Sequence, residues 1–201
     1  MLDTTLLPVI KKPLRLAAKG LHSLGVNANQ VTIAGFIIGI CAVPLLYQQL
    51  YLWALAVIII NRIFDGIDGE LARLTEPTDL GGYLDITLDF IFYSGVVFGF
   101  ALAIPDMNSL AAVFLIFSFM GTGSSFLAFA IMAEKRSIKT LEYGRKSLYF
   151  IGGLTEGTET IACFVFMCIF PSYFVHIAVC FGIMCWLTTA TRIYAGYNTL
   201  K

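Results

Sequence analysis

Residues 62–89, RIFDGIDGELARLTEPTDLGGYLDITLD, set four regularly spaced aspartates, several glycines and two arginines into a strongly apolar chain. Asp65, Asp68, Gly69 and Ala72 fall at i, i+3, i+4 and i+7, which is one face of a helix; Asp85 and Asp89, at i and i+4, share one face of the next. Two such helices facing each other gather four carboxylates, which repel one another unless a cation sits among them. An all-oxygen set suits a hard divalent ion, Mg²⁺ or Mn²⁺, whereas zinc favours His and Cys. Gly66, Gly69 and Ala72 leave the helix surface bare beside the acids, where a bulky ligand could touch backbone, and glycine inside a helix is costly without such a use. Arg73 adds a planar positive fork suited to phosphate.

The elements that carry these residues must cross a membrane. The chain has 201 residues, 58% of them hydrophobic, and a mean hydropathy of +0.83, far above a soluble domain. Several runs approach the roughly twenty residues that span a bilayer. The spacing predicts an all-α integral membrane protein of six transmembrane helices: 31–47, a second starting at 51–60 and continuing through the first Asp pair, 82–104, 110–133, 147–170 and 173–192. Residues 5–22 mix apolar positions with Lys11, Lys12, Arg15 and Lys19, as an amphipathic helix lying on the membrane surface would, although a mobile basic tail has the same composition. The chain reads as one domain over 1–201, with 1–25 as interfacial helix and linker and 26–201 as the bundle.

Net charge is zero, and no nucleic-acid partner is expected; the placement of the basic residues is the informative feature. They cluster before the first span, around the Asp motif, in the stretch holding Lys135, Arg136, Lys139, Arg145 and Lys146, and at Arg192 and Lys201, while the loops near Gln48, Asp106 and Ser172 have none. This alternation puts both termini and the Asp motif on the cytoplasmic side. A bacterial inner membrane fits. The five cysteines lie in apolar runs with no C-x2-C pair and read as small buried hydrophobes. Gly35-x3-Gly39, Gly95-x3-Gly99 and Gly153-x3-Gly157 permit close helix approach within the bundle, with a homodimer seam possible at one of them.

The order Asp65-x2-Asp68-Gly69-x2-Ala72-Arg73, then Gly81-x3-Asp85-x3-Asp89, resembles the signature of the CDP-alcohol phosphotransferases, integral membrane enzymes of phospholipid synthesis. Residues 74–80 make the connection one residue shorter than the family's usual eight. The resemblance implies a CDP-linked lipid donor, CDP-diacylglycerol first, and a small polar alcohol whose hydroxyl attacks the lipid-side phosphorus and expels CMP. It implies metal ligation by Asp65, Asp68, Asp85 and Asp89, with Asp89 the candidate general base. It also implies a CDP site formed by Asp65, Gly69, Ala72, Arg73 and Gly81, with Asn29 and Thr32 near the cytidine; as residues alone, Asn27 or Asn29 could equally cap the first span.

The acceptor stays open in the sequence. Arg145 and Lys146 suit a phosphorylated alcohol, whereas Glu156 and Glu159, at i and i+3 in the fifth span, suit a cationic one or pair with Arg145 or Arg192 to lock helices. Two other classes use intramembrane acids. A divalent-metal transporter would use the aspartates as a transit site, and an Asp-rich intramembrane prenyltransferase would carry its second acidic motif in a distant span. A transit site gains nothing from Arg73 beside its cation, and here both Asp pairs occupy one short stretch.

Overall fold

In the computed structural model of the protein, residues 3–138 and 154–201 are described, with side chains from residue 11 onward. Among them the regular structure is helical: α1 (Asp3–Ser23), α2 (Ala28–Ile40), α3 (Ala42–Tyr47), α4 (Tyr51–Leu74), α5 (Asp79–Ala103), α6 (Pro105–Lys135), α7 (Gly157–Ile169), a 3₁₀ turn Pro171–Tyr173, and α8 (Phe174–Leu200). Among the described residues, four stretches are long and apolar enough to cross a membrane: Ala28–Tyr47, Asp79–Ala103, Pro105–Lys135 and Pro171–Leu200. α4 is also long, at 24 residues, but carries the first Asp pair, and α7 has 13 residues.

The boundaries have local causes. α1 stops at Gly25, whose φ of +77° suits glycine, with Val26 N–H donating to Leu21 O and Gly25 N–H to His22 O; this double bond satisfies carbonyls that the ended helix would leave bare. Asn27 then caps α2 in a reciprocal box with Gln30: the Asn27 side chain accepts from Gln30 N–H at 3.0 Å and the Gln30 side chain from Asn27 N–H at 3.1 Å. The first span breaks between α2 and α3 because Pro44 has no N–H for the Ile40 carbonyl and its ring crowds that turn. At the far end of α5, side-chain amides take the place of helix hydrogen bonds: Gln49 Nε2 donates to Ala103 O at 3.1 Å and Asn108 Nδ2 to Phe100 O at 2.8 Å.

Lipid tails are as apolar as the side chains they surround, so these helices are held mainly by close packing rather than by expulsion of water. Glycines provide the approach. A Cβ on Gly35 would lie 2.6 Å from Phe64 Cβ and one on Gly39 2.8 Å from Asn61, so α2 and α4 meet backbone to side chain; Gly95 and Gly99 do the same for Ile40 and Leu46. The core is aromatic, with Phe100 stacked on Phe174 at 4.8 Å and both rings fully buried. α6 and α8 form the other half, where Phe119 meets Phe181 edge on and Phe114 fills the space over Gly182. The cysteines are free, and only Cys163, Cys168 and Cys185 are buried; Cys41 and Cys180 are exposed, because their helix faces turn away from the bundle.

α1 packs on α4 through Ala18 and Leu71, with Val31 of α2 in the same small apolar cluster. Leu14 sits where a Cβ on Gly66 would be, 2.7 Å from its methyl. Gly66, read from sequence as clearance for a ligand, is therefore clearance for α1. Lys11, Lys12, Arg15 and Lys19 lie on the exposed side of the same helix.

Candidate active site

The two Asp pairs converge where α4 and α5 each pack against α2. One carboxylate oxygen each from Asp65, Asp68 and Asp85 lies within 4.8 Å of the others. Ligands of one divalent ion are about 4–5 Å apart at most, so this separation is close to that of a shared ion. A second observation supports that use. Asp68 is 6% exposed, and its Oδ2 is buried without a hydrogen-bond partner. A buried carboxylate oxygen with no donor is costly, and a cation supplies what the protein does not. Between the acids lies a cavity of about 10 Å³, bordered also by Thr32 and Arg62, with room for one water-sized sphere. The residues present therefore fit a single-atom divalent cation of the Mg²⁺ or Mn²⁺ type.

Next to this small space opens a larger cavity of about 290 Å³, sharing Thr32, Asp68 and Asp85 with it. Its wall includes Asn29, Gly69, Ala72 and Gly81, all singled out from sequence. Asn27 performs the capping, so Asn29 is left to face the cavity, its Oδ1 only 3.0 Å from where a Cβ on Gly81 would be. The seven-residue connection folds as a tight break: α4 ends at Leu74, and Thr78 caps α5 by accepting from Gly81 N–H at 3.0 Å. Gly82 lines the same cavity, as do Thr75, Glu76 and Thr78, which the sequence reading does not assign although Thr78 three residues before Gly81 has the spacing of a helix cap.

Two motif residues sit differently from their neighbours. Arg73 does not line the cavity; Nη1 makes a 2.7 Å ion pair with Glu70, which is 6% exposed, and the guanidinium lies over Gly69. Asp89 borders the small cavity, but its carboxylate is gripped by Arg62, with Nη2 2.7 Å from Oδ1 and Nη1 3.3 Å from Oδ2, and it accepts from the Tyr93 hydroxyl at 3.2 Å. The expected gathering of four acids is thus a compact group of three with Asp89 beside it. The sequence signal for Arg62 was its i, i+3 relation to Asp65, which puts both on one helix face; the two are 3.6 Å apart.

Glu156 and Glu159 stand at the start of α7 rather than within a longer span: residues 154–156 are not helical. They form a reciprocal cap, the Glu156 side chain accepting from the Glu159 backbone and Glu159 Oε2 from Glu156 N–H at 3.2 Å. The same helix start is tied to α8, where Thr188 Oγ1 accepts from Leu154 and Thr155 N–H. Arg192 donates to Thr122 O at 3.2 Å and lies over the Phe126 ring, joining α8 to α6. Arg145 and Lys146 lie outside the described residues.

Residues 26–194 match the CDP-alcohol phosphatidyltransferase family. The chain is 53% identical over 201 residues, 100% of this chain and 98% of the other, to inner membrane protein YnjF of Escherichia coli strain K12. It is 29% identical over 195 residues to an archaetidylinositol phosphate synthase of Pyrococcus horikoshii, covering 96% of each. Its fold resembles that of the Mycobacterium tuberculosis phosphatidylinositol phosphate synthase PgsA1, solved with CDP-DAG bound, with a TM-score of 0.74, 19% identity and coverage of 92% of this chain and 93% of that one.

Proposed function

Because the chain belongs to the CDP-alcohol phosphatidyltransferase family, we propose that it moves a phosphatidyl group from CDP-diacylglycerol, or a similar CDP-linked lipid, to the hydroxyl of a small polar alcohol, releasing CMP in phospholipid synthesis. The observation that carries this reading is the continuity of the two spaces: the Asp65, Asp68 and Asp85 cluster borders a 290 Å³ cavity walled by Asn29, Gly69, Ala72 and Gly81. Small residues on that wall let a pyrophosphate approach backbone, while Asn29 and Thr32 offer polar groups to a cytosine base or ribose. Family membership favours this reaction over a metal transporter or a prenyltransferase.

A bound Mg²⁺ or Mn²⁺ would be held by Asp65, Asp68 and Asp85, neutralising the pyrophosphate and stabilising the leaving phosphate. Asp89 stands beside that group as the proton acceptor for the alcohol. Its hydroxyl oxygen bonds to the lipid-side phosphorus, the P–O bond to CMP breaks, and the hydroxyl proton passes to the Asp89 carboxylate. Arg73, which lies over Gly69 and pairs with Glu70, would meet a phosphate by exchanging that partner.

In this reading the enzyme has six spans, α2 with α3, α4, α5, α6, α7 and α8, with α1 on the cytoplasmic membrane surface and both termini and the site on that side. The protein works as a homodimer in the bacterial inner membrane. Its acceptor is a phosphorylated polyol, the class in the name of the P. horikoshii relative, with Arg145 and Lys146 meeting the anionic group; Glu156 and Glu159 contact the acceptor only if it is cationic.

The test is CMP release by purified protein given CDP-diacylglycerol, Mg²⁺ or Mn²⁺ and, separately, inositol phosphate, glycerol 3-phosphate, inositol, serine, choline and ethanolamine. One acceptor is expected to stimulate release, and Arg145→Ala to lower use of a phosphorylated one selectively. Release by none of them, in folded protein that does not bind CDP-diacylglycerol, would overturn the reading.

A further inference from the structure

Arg62 is an unusual cation for an apolar bundle, because every one of its N–H groups is spoken for. A guanidinium has five N–H donors. Here Nε donates to Asn61 Oδ1 at 2.8 Å, Nη2 to Asn61 Oδ1 and to Asp89 Oδ1, and Nη1 to Asp89 Oδ2 and to the Tyr93 hydroxyl at 3.1 Å. The anchor is itself anchored: buried Asn61 donates through Nδ2 to Gly35 O at 2.9 Å, tying the group to the α2 backbone. The flat faces are also used, with the Phe92 ring centroid 4.8 Å and the Tyr93 centroid 5.4 Å from Cζ. Nothing in this arrangement leaves Arg62 a donor for substrate phosphate.

The charge is also unevenly shared. Asp89 takes two guanidinium contacts and the Tyr93 hydroxyl, while Asp65 is 3.6 Å from Nη1 and Asp68 Oδ2 has no partner. We propose that Arg62 is a positioning residue that holds the Asp89 carboxylate apart from the Asp65, Asp68 and Asp85 group and fixes its orientation toward the attacking hydroxyl, with Asn61 and Tyr93 as its braces. This rests on the phosphatidyl-transfer reading above. The step it serves balances as written there: the hydroxyl proton goes to Asp89, the O–P bond forms, the P–O bond to CMP breaks, and Asp89 returns the proton to water after CMP leaves.

A residue that merely held the bundle together would damage metal binding, substrate binding and turnover alike. A positioning residue would separate them. The test compares wild type, Arg62→Gln and Arg62→Lys by Mn²⁺ titration in detergent, KM for CDP-diacylglycerol, and kcat for CMP release. Arg62→Gln is expected to bind Mn²⁺ as tightly as wild type or severalfold tighter, since a positive charge beside Asp65 is gone, to keep KM within about threefold, and to lose kcat by about 100-fold from misorientation alone. Arg62→Lys is expected to recover little of this, because an ammonium cannot make the two-pronged contact. Tyr93→Phe deletes one oxygen while leaving the ring near Phe164, and is expected to lower kcat about tenfold; it decides the matter if Arg62→Gln does not fold. Mn²⁺ affinity weakened more than about tenfold in a folded Arg62 variant, or unchanged kcat in Arg62→Gln and Tyr93→Phe, would overturn the proposal. A wild-type protein inactive with every acceptor would instead overturn the reaction, and the Mn²⁺ titration would then decide by itself whether Arg62 stands apart from the cluster.

Discussion

Two sets of acids at helical spacing lie in this bundle, and the protein treats them differently. At the start of α7, Glu156 and Glu159 accept each other's backbone N–H groups, so their charge is used by the helix that carries them. Where α4 and α5 both meet α2, Asp65, Asp68 and Asp85 converge, and Asp68 Oδ2 is buried without a donor beside an open cavity. Both sets look alike in sequence. What separates them is that the helix start uses its acids for the fold, whereas Asp68 keeps a buried oxygen with bonding capacity that no group of the chain takes up.

That contrast can be broken by exchanging chemistry at each end. The largest effect belongs to Asp68→Asn, which removes the charge but keeps the shape: CMP release should fall by at least about 10³-fold, about 4 kcal/mol of transition-state stabilisation, and Mn²⁺ binding should fall with it in a direct titration. Unchanged Mn²⁺ affinity would mean that the unpartnered oxygen is not a ligand. Next is Gly81→Val, which fills the cavity wall where even a Cβ would stand 3.0 Å from Asn29 Oδ1. KM for the CDP-linked lipid should rise about tenfold with Mn²⁺ affinity preserved, and loss of both together would show that the two spaces are not separable.

A third substitution probes the packing beneath the acids. Gly66→Val pushes Leu14 of α1 away from α4, at a cost of about 1–3 kcal/mol for overpacking, so thermal unfolding in detergent should shift down while kcat stays within about threefold. A large fall in kcat without a shift in unfolding would return Gly66 to the ligand site. The smallest effect is expected at α7: Glu159→Gln keeps an oxygen for Glu156 N–H, so kcat and KM should stay within about threefold of wild type. A KM increase confined to a cationic acceptor would instead bring this pair into the acceptor pocket.

Much of the site was legible because it depends on short-range periodicity. The spacing of Asp65, Asp68, Gly69 and Ala72 places them on one helix face, and that of Asp85 and Asp89 gives a second acidic face on the next helix. Features set by tertiary approach were not. Gly66 looks in sequence like room for a ligand because sequence cannot say which helix covers it, and α1 does. Arg62 looked like a flanking charge, since its role depends on α5 presenting Asp89 and Tyr93 to it and on α2 coming close enough at Gly35 to hold Asn61. The sequence puts Glu156 and Glu159 inside a span over 147–170, whereas α7 starts at Gly157 with Glu156 as its cap, and a cap and a buried pair share the same i, i+3 spacing.

The central claim is that the carboxylate cluster and the neighbouring cavity form one metal-dependent site for a cytidine diphosphate group. Equilibrium binding of CDP to the purified protein in detergent, with and without Mn²⁺, tests it most directly. Binding that requires Mn²⁺, disappears in Asp68→Asn and weakens in Gly81→Val is the result this account predicts; CDP binding that is indifferent to the metal and to Asp68, in folded protein, would contradict it.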